Sequence, residues 1–474
     1  MVFNSPIFLF AFFPLCFGLS RLLRSRGARS AGLAAASLVF YAFCGVSALP
    51  VLLLSALFNY GLGLLLAQGA SARHVHPGRH QRLLCGAGIA ADLALLCFYK
   101  YVPFLCSLFG MTAGSASVPA GISFFTFQAV AYLIDVSRDP SQALRRFDEL
   151  LLYLAFFPRL LSGPLQRTAD FSAQLDAPLP ALSELSPALR RFIRGFARKV
   201  LLADLVGALA DTVFSLAPAE LSSPLAWLGA IAYTLQLYFD FSGYTDMAIG
   251  AGACLGFTLP ENFNYPYVSL TLTEFWRRWH ITLSRWFRDY VYIPLGGSRC
   301  GARRTAVNKL IVFLLTGIWH GAGWTFLLWG LWHGGWMMAE SAAKPFLERV
   351  SQRRSGRVIL RIYTMLLVVS GFVLFRSASL SGALQMLGRM FAFDFAPLSA
   401  GTVLALRGVT DSVHILSLCL AAVFSAPVLS LAEKRLPAGA AGELIRDGAA
   451  LLLFVLSLLG MAGSSFTPFI YFQF

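Results

Sequence analysis

TEFWRRWHITLSRWFRDYVYIPLGGSR, Thr273–Arg299, and after a basic spacer LIVFLLTGIWHGAGWTFLLWGLWHG, Leu310–Gly334, form the stretch whose reading decides the fold. In its first half Trp276, Trp279, Leu283, Trp286, Phe287 and Tyr290 recur at steps of three and four, the spacing of one helical face. At about 100° per residue, Arg277, Arg278, Arg285 and Arg288 fall on the opposite face. The pattern predicts one amphipathic helix from Glu274 to Tyr290, lying in a membrane interface with arginines toward headgroups and aromatics in the acyl boundary. His280 falls at the edge of the aromatic stripe. In the second half, Ile311–Ala339 holds no Asp, Glu, Lys or Arg. A bilayer crossing needs about 20 apolar residues, so this run reads as a span with His320 near its middle. An ionisable side chain at that depth reads as functional. Gly317, Gly321 and Gly323 around it thin the helix and leave room for a substrate or a neighbouring backbone.

The composition agrees with a membrane protein. Of 474 residues, 57% are hydrophobic and 13% charged, about half the charged fraction of a soluble domain. The chain reads as one all-α integral membrane domain over 1–474, with its motifs concentrated in 119–335. The net charge of +15 does not point to nucleic acid, because the basic residues cluster in short segments between apolar runs, as the positive-inside rule expects. The eight cysteines include no CxxC pair and read as small buried hydrophobes rather than metal ligands. Ile7–Leu19 is followed by Arg21, Arg24, Arg26 and Arg29 without a small-residue cleavage site, and reads as a retained first span.

Further spans are expected near Ala31–Val46, Leu49–Ala67, Leu84–Leu108, Val118–Val136, Trp227–Leu255, Val358–Phe375, Ser412–Leu431 and Ala449–Met461, for a total of ten to twelve. His74, His76 and His80 lie in a basic loop and read as solvated. Leu150–Gln166 is cut by Pro158, Gly163 and Pro164, and predicts a re-entrant segment buried in protein or lining a cavity. Within it, Arg159 is either an anion contact or a side chain snorkelling to the interface. Asp240 and Asp246 fall inside an apolar run, where carboxylates are costly; they could bind a cation or a proton, but are expected rather to pair with buried arginines or backbone N–H groups. The aromatic-rich ending, Ser464–Phe474, suits an interface belt.

Six motifs in order resemble the membrane-bound O-acyltransferase family: PAGISFFTFQAVAYLIDVSR, FFPRLLSGPLQR, YFDFSGYTDMAIG, LPENFNYPY, FWRRWHITLSRWFRDYVYIPLGGSR and TGIWHGAGWTFLLWG. The resemblance is to its bacterial branch, which O-acetylates alginate or peptidoglycan or transfers D-alanine to teichoic acid. It implies a ring of helices around a tunnel, a catalytic histidine in the WHG motif at His320, and a second functional position at His280. Trp319, Trp324, Arg277, Arg278, Arg288, Asp240 and Asn262 lie within these motifs and are further candidates for lining the tunnel or holding the donor. Arg159 stands where the family pattern implies a neutral residue. The resemblance also implies an acyl thioester donor, acetyl-CoA or an acyl carrier protein, supplied from the cytoplasm and with no bound cofactor. It implies an exported polysaccharide acceptor, an extracytoplasmic esterase-like partner and residence in the cytoplasmic membrane.

Acyl transfer needs a base for the attacking hydroxyl, a held thioester and a stabilised oxyanion. A neutral imidazole suits the first task, so the expected chemistry is direct attack with His320 as base and no acyl-enzyme. On a regular helix His333 lies about 220° around from His320 and is expected to pack rather than react. The competing classes are a transporter or flippase, which the intramembrane ionisable residues would also suit, and a non-catalytic scaffold. Inverted repeats would favour the transporter reading, and none is visible.

Overall fold

Residues 1–68, 78–111, 118–463 and 469–470 are described by the structure, a computed structural model, and all their regular structure is helical. The all-α expectation is therefore met among the described residues. His74, His76 and most of the aromatic ending lie outside them. The chain divides into two compact units, Met1–Phe192 with Tyr244–Glu261, and Ile193–Gly243 with Asn262–Ile470.

Among the described residues four helices are long and apolar enough to cross a membrane: Val46–Gln68, Arg79–Lys100, Arg354–Arg376 and Ala440–Gly463. A fifth span results if Ala400–Arg407 and Ser412–Phe424, bent by 78°, count as one. The wider count of ten to twelve is not reached on this criterion, because several apolar runs do not become single long helices. Leu84–Leu108 is cut at Tyr101, where Pro103 starts a separate helix, Val102–Leu108. A proline ring suits the first turn of a helix and cannot continue one. The cysteines also depart from expectation. Cys16, Cys85 and Cys254 are buried, but Cys97, Cys300 and Cys419 are exposed.

In the first unit the proline-cut segment is buried throughout, from Leu150 to Gln166. Arg159 is 0% exposed, so it does not snorkel. Its guanidinium lies over the rings of Tyr153 and Phe171, at 4.7 and 4.9 Å, and donates to Gln166 Oε1 at 3.2 Å and to the Tyr153 carbonyl. Asp246 accepts from Arg191 at 2.7 Å, an arginine partner as foreseen, although this arginine is half-buried rather than buried.

In the second unit the decisive stretch runs through four helices, α2 (Leu272–Arg278), α3 (Ile281–Phe287), α4 (Ala302–His320) and α5 (Trp324–Ala342); α1 (Ser223–Cys254, whose last residues belong to the first unit) precedes it and α6 (Arg354–Arg376) follows it. Two expectations fail here. Glu274–Tyr290 is not one helix. It breaks at Trp279–His280 and ends in a π-helical turn, Arg288–Tyr292. Nor is Ile311–Ala339 one span. It folds at Gly321–Gly323 into the α4–α5 hairpin, one of the most intimate helix pairs in the chain.

Small residues explain the hairpin. A Cβ on Gly330 would sit 2.6 Å from the Phe313 carbonyl oxygen, and one on Gly334 would sit 2.9 Å from Leu310 Cδ1. A Cβ on Gly317 would press on the Phe326 carbonyl, and one on Gly321 on the Phe326 ring. Close approach of this kind is how apolar helices associate without help from water. The room these glycines leave goes to a neighbouring helix. Gly330→Ala is therefore expected to destabilise the protein by about 1–3 kcal/mol, the usual cost of overpacking. Thermal unfolding in detergent measures it, and an unchanged midpoint would refute the packing role.

The aromatic stripe is also reassigned. Trp276, Trp279, Leu283, Trp286 and Phe287 are all at most 9% exposed. Trp276 packs edge-on against Phe313, Trp329 and His333 at 5.1–5.5 Å, and Trp279 lies 5.2 Å from Phe372 of α6. These rings face protein, not acyl chains. Burying a large aromatic against protein also adds edge-to-face contacts worth about 0.5–1.5 kcal/mol each.

Candidate active site

Turn chemistry builds the site. The connector after α1 lies along the break between α2 and α3 and replaces the helical hydrogen bonds lost there. Asn264 N donates to the Arg278 carbonyl at 2.9 Å, and Ile281 N donates to the Asn262 carbonyl at 3.0 Å. The Asn262 side-chain oxygen accepts from Thr282 N at 3.2 Å and Thr282 Oγ1 at 3.0 Å, and His280 Nδ1 lies 3.2 Å from the same oxygen. Asn262 is 0% exposed. Held in this way, His280 has φ +45°. The left-handed region costs a residue with a side chain about 1–2 kcal/mol, and a strained residue of this kind points to a site.

Glu340, at the far end of α5, fixes the other end of α2. Its carboxylate accepts from Leu272 N at 2.6 Å, and from Thr273 N and Thr273 Oγ1 at 2.9 Å. A carboxylate on the first N–H groups of a helix satisfies donors that have no partner within the helix. The sequence reading missed this role, although Glu340 is the first acidic residue after the uncharged run.

α2, α3, the π-turn, α4 and α5 enclose a cleft of about 500 Å³. His280 lines it and is 1% exposed. Arg277, Arg285 and Arg288 are exposed at its rim, with Lys309 beside them. Lys309 entered no expectation drawn from the sequence. Among the described residues no carboxylate lines the cleft, although Arg288 also pairs with the neighbouring Asp289 at 2.8 Å, so the cleft is rimmed by positive charge with a histidine in its floor. Arg278 turns away from it and pairs with Glu274 at 2.9 Å. Burial pushes the His280 imidazole down to about 3, so the ring is neutral across the physiological range.

His320, 4% exposed, is the last residue of α4. Trp319, Trp329 and Phe375 surround it edge-on, with ring centroids 4.8, 5.2 and 5.0 Å away. Trp319 joins the two histidines. Its ring lies 4.8 Å from His320 and 6.4 Å from His280, whose other side meets Phe241 at 4.8 Å.

The structure therefore brings together His280, Asn262, Trp319 and His320, with Arg277 and Arg288 at the cleft. It does not bring in Trp324 or Asp240. Trp324 is 57% exposed at the first position of α5. Asp240 is buried against Lys199 at 2.7 Å and accepts from Ile470 N at 2.8 Å. Lys199 also holds Asp204 at 2.7 Å. It sits in a π-helical turn, Arg198–Ala203, which no periodicity in the sequence announces.

The expectation for His333 changes because the run folds back. In place of the opposite face of one helix, His333 packs 4.9 Å from Trp329, the same ring that His320 touches. It is 0% exposed and makes no side-chain hydrogen bond among the described residues, so it packs.

Comparison with known proteins gives a consistent answer. A model of the MBOAT, membrane-bound O-acyltransferase, family matches residues 105–381. The probable alginate O-acetylase AlgI of Pseudomonas putida is 38% identical over the whole of both chains. The peptidoglycan O-acetyltransferase of Helicobacter pylori is 35% identical, over 83% of this chain and 80% of that one. The teichoic acid D-alanyltransferase of Bacillus subtilis is 31% identical over 50% of this chain and 63% of its own.

Proposed function

We propose, on the premise that this chain belongs to the membrane-bound O-acyltransferase family, that it passes an acetyl group from a cytoplasmic thioester to an exported polysaccharide. The protein is a multi-pass enzyme of the cytoplasmic membrane in this reading. One observation carries it. A cleft with four cations and no carboxylate among its described lining residues has His280 in its floor, and one indole separates His280 from His320.

The chemistry follows from these groups. Arg277, Arg285, Arg288 and Lys309 take the phosphates of the donor, acetyl-CoA or a carrier-borne thioester, since guanidinium and ammonium groups suit phosphate. The acceptor hydroxyl attacks the thioester carbonyl and gives its proton to neutral His320. The C–O bond forms, the C–S bond breaks, and the thiolate takes the proton back, leaving an ester and a thiol. The aromatic cage keeps water from the thioester. No cofactor stays bound, and an extracytoplasmic esterase-like partner receives the product or completes its transfer.

The test supplies the donor outside inverted membrane vesicles, on the cytoplasmic face, with the acceptor enclosed in their lumen. Labelled acetyl-CoA with an acidic exopolysaccharide should yield alkali-labile polymer acetate. Labelled D-alanine on a carrier protein should yield no labelled polymer. The reverse outcome would assign the protein to D-alanyl transfer, and movement of label without ester formation would favour a transporter.

The cleft makes a separate prediction. Arg285→Glu with Arg288→Glu should raise the KM for acetyl-CoA by roughly 10-fold or more, at about 1 kcal/mol per cation, and lower kcat less. Added salt should raise KM in the parent and much less in the variant. An unchanged KM would assign these arginines to lipid headgroups instead.

A further inference from the structure

We infer that Asn262 is the positioning residue that fixes the tautomer of His280, holding the proton on Nδ1 and leaving Nε2 as the basic edge of the ring. The inference rests on the reading of His280 as part of the transfer site.

The geometry settles the amide first. Thr282 N is a backbone donor in the first turn of α3, where N–H groups have no acceptor within the helix. The Asn262 atom that meets it at 3.2 Å is therefore the oxygen. The flipped amide would set N–H against N–H. The Asn262 backbone is itself held, with its carbonyl accepting from Ile281 N at 3.0 Å, so the side chain has little freedom to turn.

The histidine follows from the amide. His280 Nδ1 lies 3.2 Å from that same carbonyl oxygen, which accepts and never donates. Nδ1 therefore carries the hydrogen. A neutral imidazole has one protonated nitrogen, so Nε2 holds the lone pair. Burial keeps the ring neutral, and Phe241 and Trp319 hold its plane edge-on. This is the arrangement in which a partner behind the ring sets which nitrogen acts in front. Asn262 touches no reacting atom in this scheme and acts only through His280.

The test uses the full-length protein in detergent micelles with 15N-labelled histidine, and His280→Gln to identify the resonance. The expected result is a neutral His280 with Nδ1 protonated and Nε2 bare. Asn262→Ala should abolish that signature and lower kcat roughly 10- to 100-fold, with little change in the KM for acetyl-CoA. Asn262→Asp keeps an acceptor at the same place. It should preserve the tautomer, restore most of kcat, and move the acid limb of the pH–rate profile to higher pH, because an adjacent anion favours the imidazolium.

An Nε2-protonated or cationic His280 in the parent would overturn the inference. So would an Asn262→Ala protein with an unaltered His280 signal. If Asn262→Ala does not fold, the parent spectrum and the Asn262→Asp profile still decide the matter. If the tautomer is as stated but Asn262→Ala and His280→Asn both transfer acetyl at the parent rate, the positioning role falls together with the role of His280. The family assignment stands in that case.

Discussion

His320→Ala is expected to end acyl transfer while the protein remains inserted and folded. The imidazole is buried at the WHG turn, one indole away from the His280 that lines the cleft, and a positioned base contributes about 10²- to 10⁴-fold. The loss should appear in kcat, with the KM for the thioester nearly unchanged, because the cations proposed to hold the donor lie elsewhere, on α2, α3, the π-turn and α4. Truncation leaves a small void between Trp319, Trp329 and Phe375. The α4–α5 contact depends on Gly317, Gly330 and Gly334, not on the histidine, so the hairpin survives. His320→Gln fills the void without supplying a base and should be equally inactive. Labelled acetate on polymer and the unfolding midpoint in detergent measure the two halves of the claim. Retained transfer in either variant would remove His320 from the mechanism.

The second large effect is expected at His280, and here the backbone allows a cleaner experiment. At φ +45° an alanine pays the left-handed cost in full, whereas asparagine visits that region readily. His280→Asn should therefore keep the α2–α3 break and fold normally, yet lose roughly 100-fold or more in kcat. Full activity in that variant would show that the ring only fills space.

The pH dependence gives a further test of His280. Burial lowers His280 to about 3, so this ring alone should cause no loss of activity between about pH 5 and 8, and an acid limb in that window belongs to another group. Stability follows the opposite sign to that of a paired histidine. Above about 6.5, the ordinary histidine value, both folded and unfolded chains hold His280 neutral, and its contribution is intact. Below that, the unfolded chain takes a proton that the folded chain refuses, so stability falls as pH drops from about 6.5 toward 3. His280→Asn should flatten that part of the curve of unfolding midpoint against pH.

The helical class and the importance of the stretch from Thr273 to His333 were legible because they rest on composition and on a spacing of three and four residues. The breaks were not. Glu274–Tyr290 keeps helical periodicity straight through His280, since the turn there is forced from outside by Asn262, which is 18 residues away in sequence. Ile311–Ala339 is apolar from end to end, and nothing in its hydropathy distinguishes one span from a hairpin. Gly321 and Gly323 mark the fold, but both have extended backbones, with φ −167° and −171°, so the turn uses no glycine-only conformation and needs only the missing side chain of Gly321, where a Cβ would press on the Phe326 ring.

Partners were harder to foresee than positions. Asp246 took an arginine as expected. Asp240 took the backbone N–H of Ile470, as expected, and also Lys199, which was not foreseen. The aromatic stripe was visible, but the surface it faced was not. A face rich in Trp and Phe satisfies lipid and protein equally, and only the close fit of Trp276 against Trp329 and His333 decides for protein.

The most direct measurement is thiol release from acetyl-CoA by inverted membrane vesicles enclosing acceptor polysaccharide, comparing the parent with His320→Gln at equal protein level. The parent should free one thiol for each ester formed on the polymer, and the variant should free none above the background of empty vesicles. Equal thiol release from both would contradict an enzyme built around that imidazole.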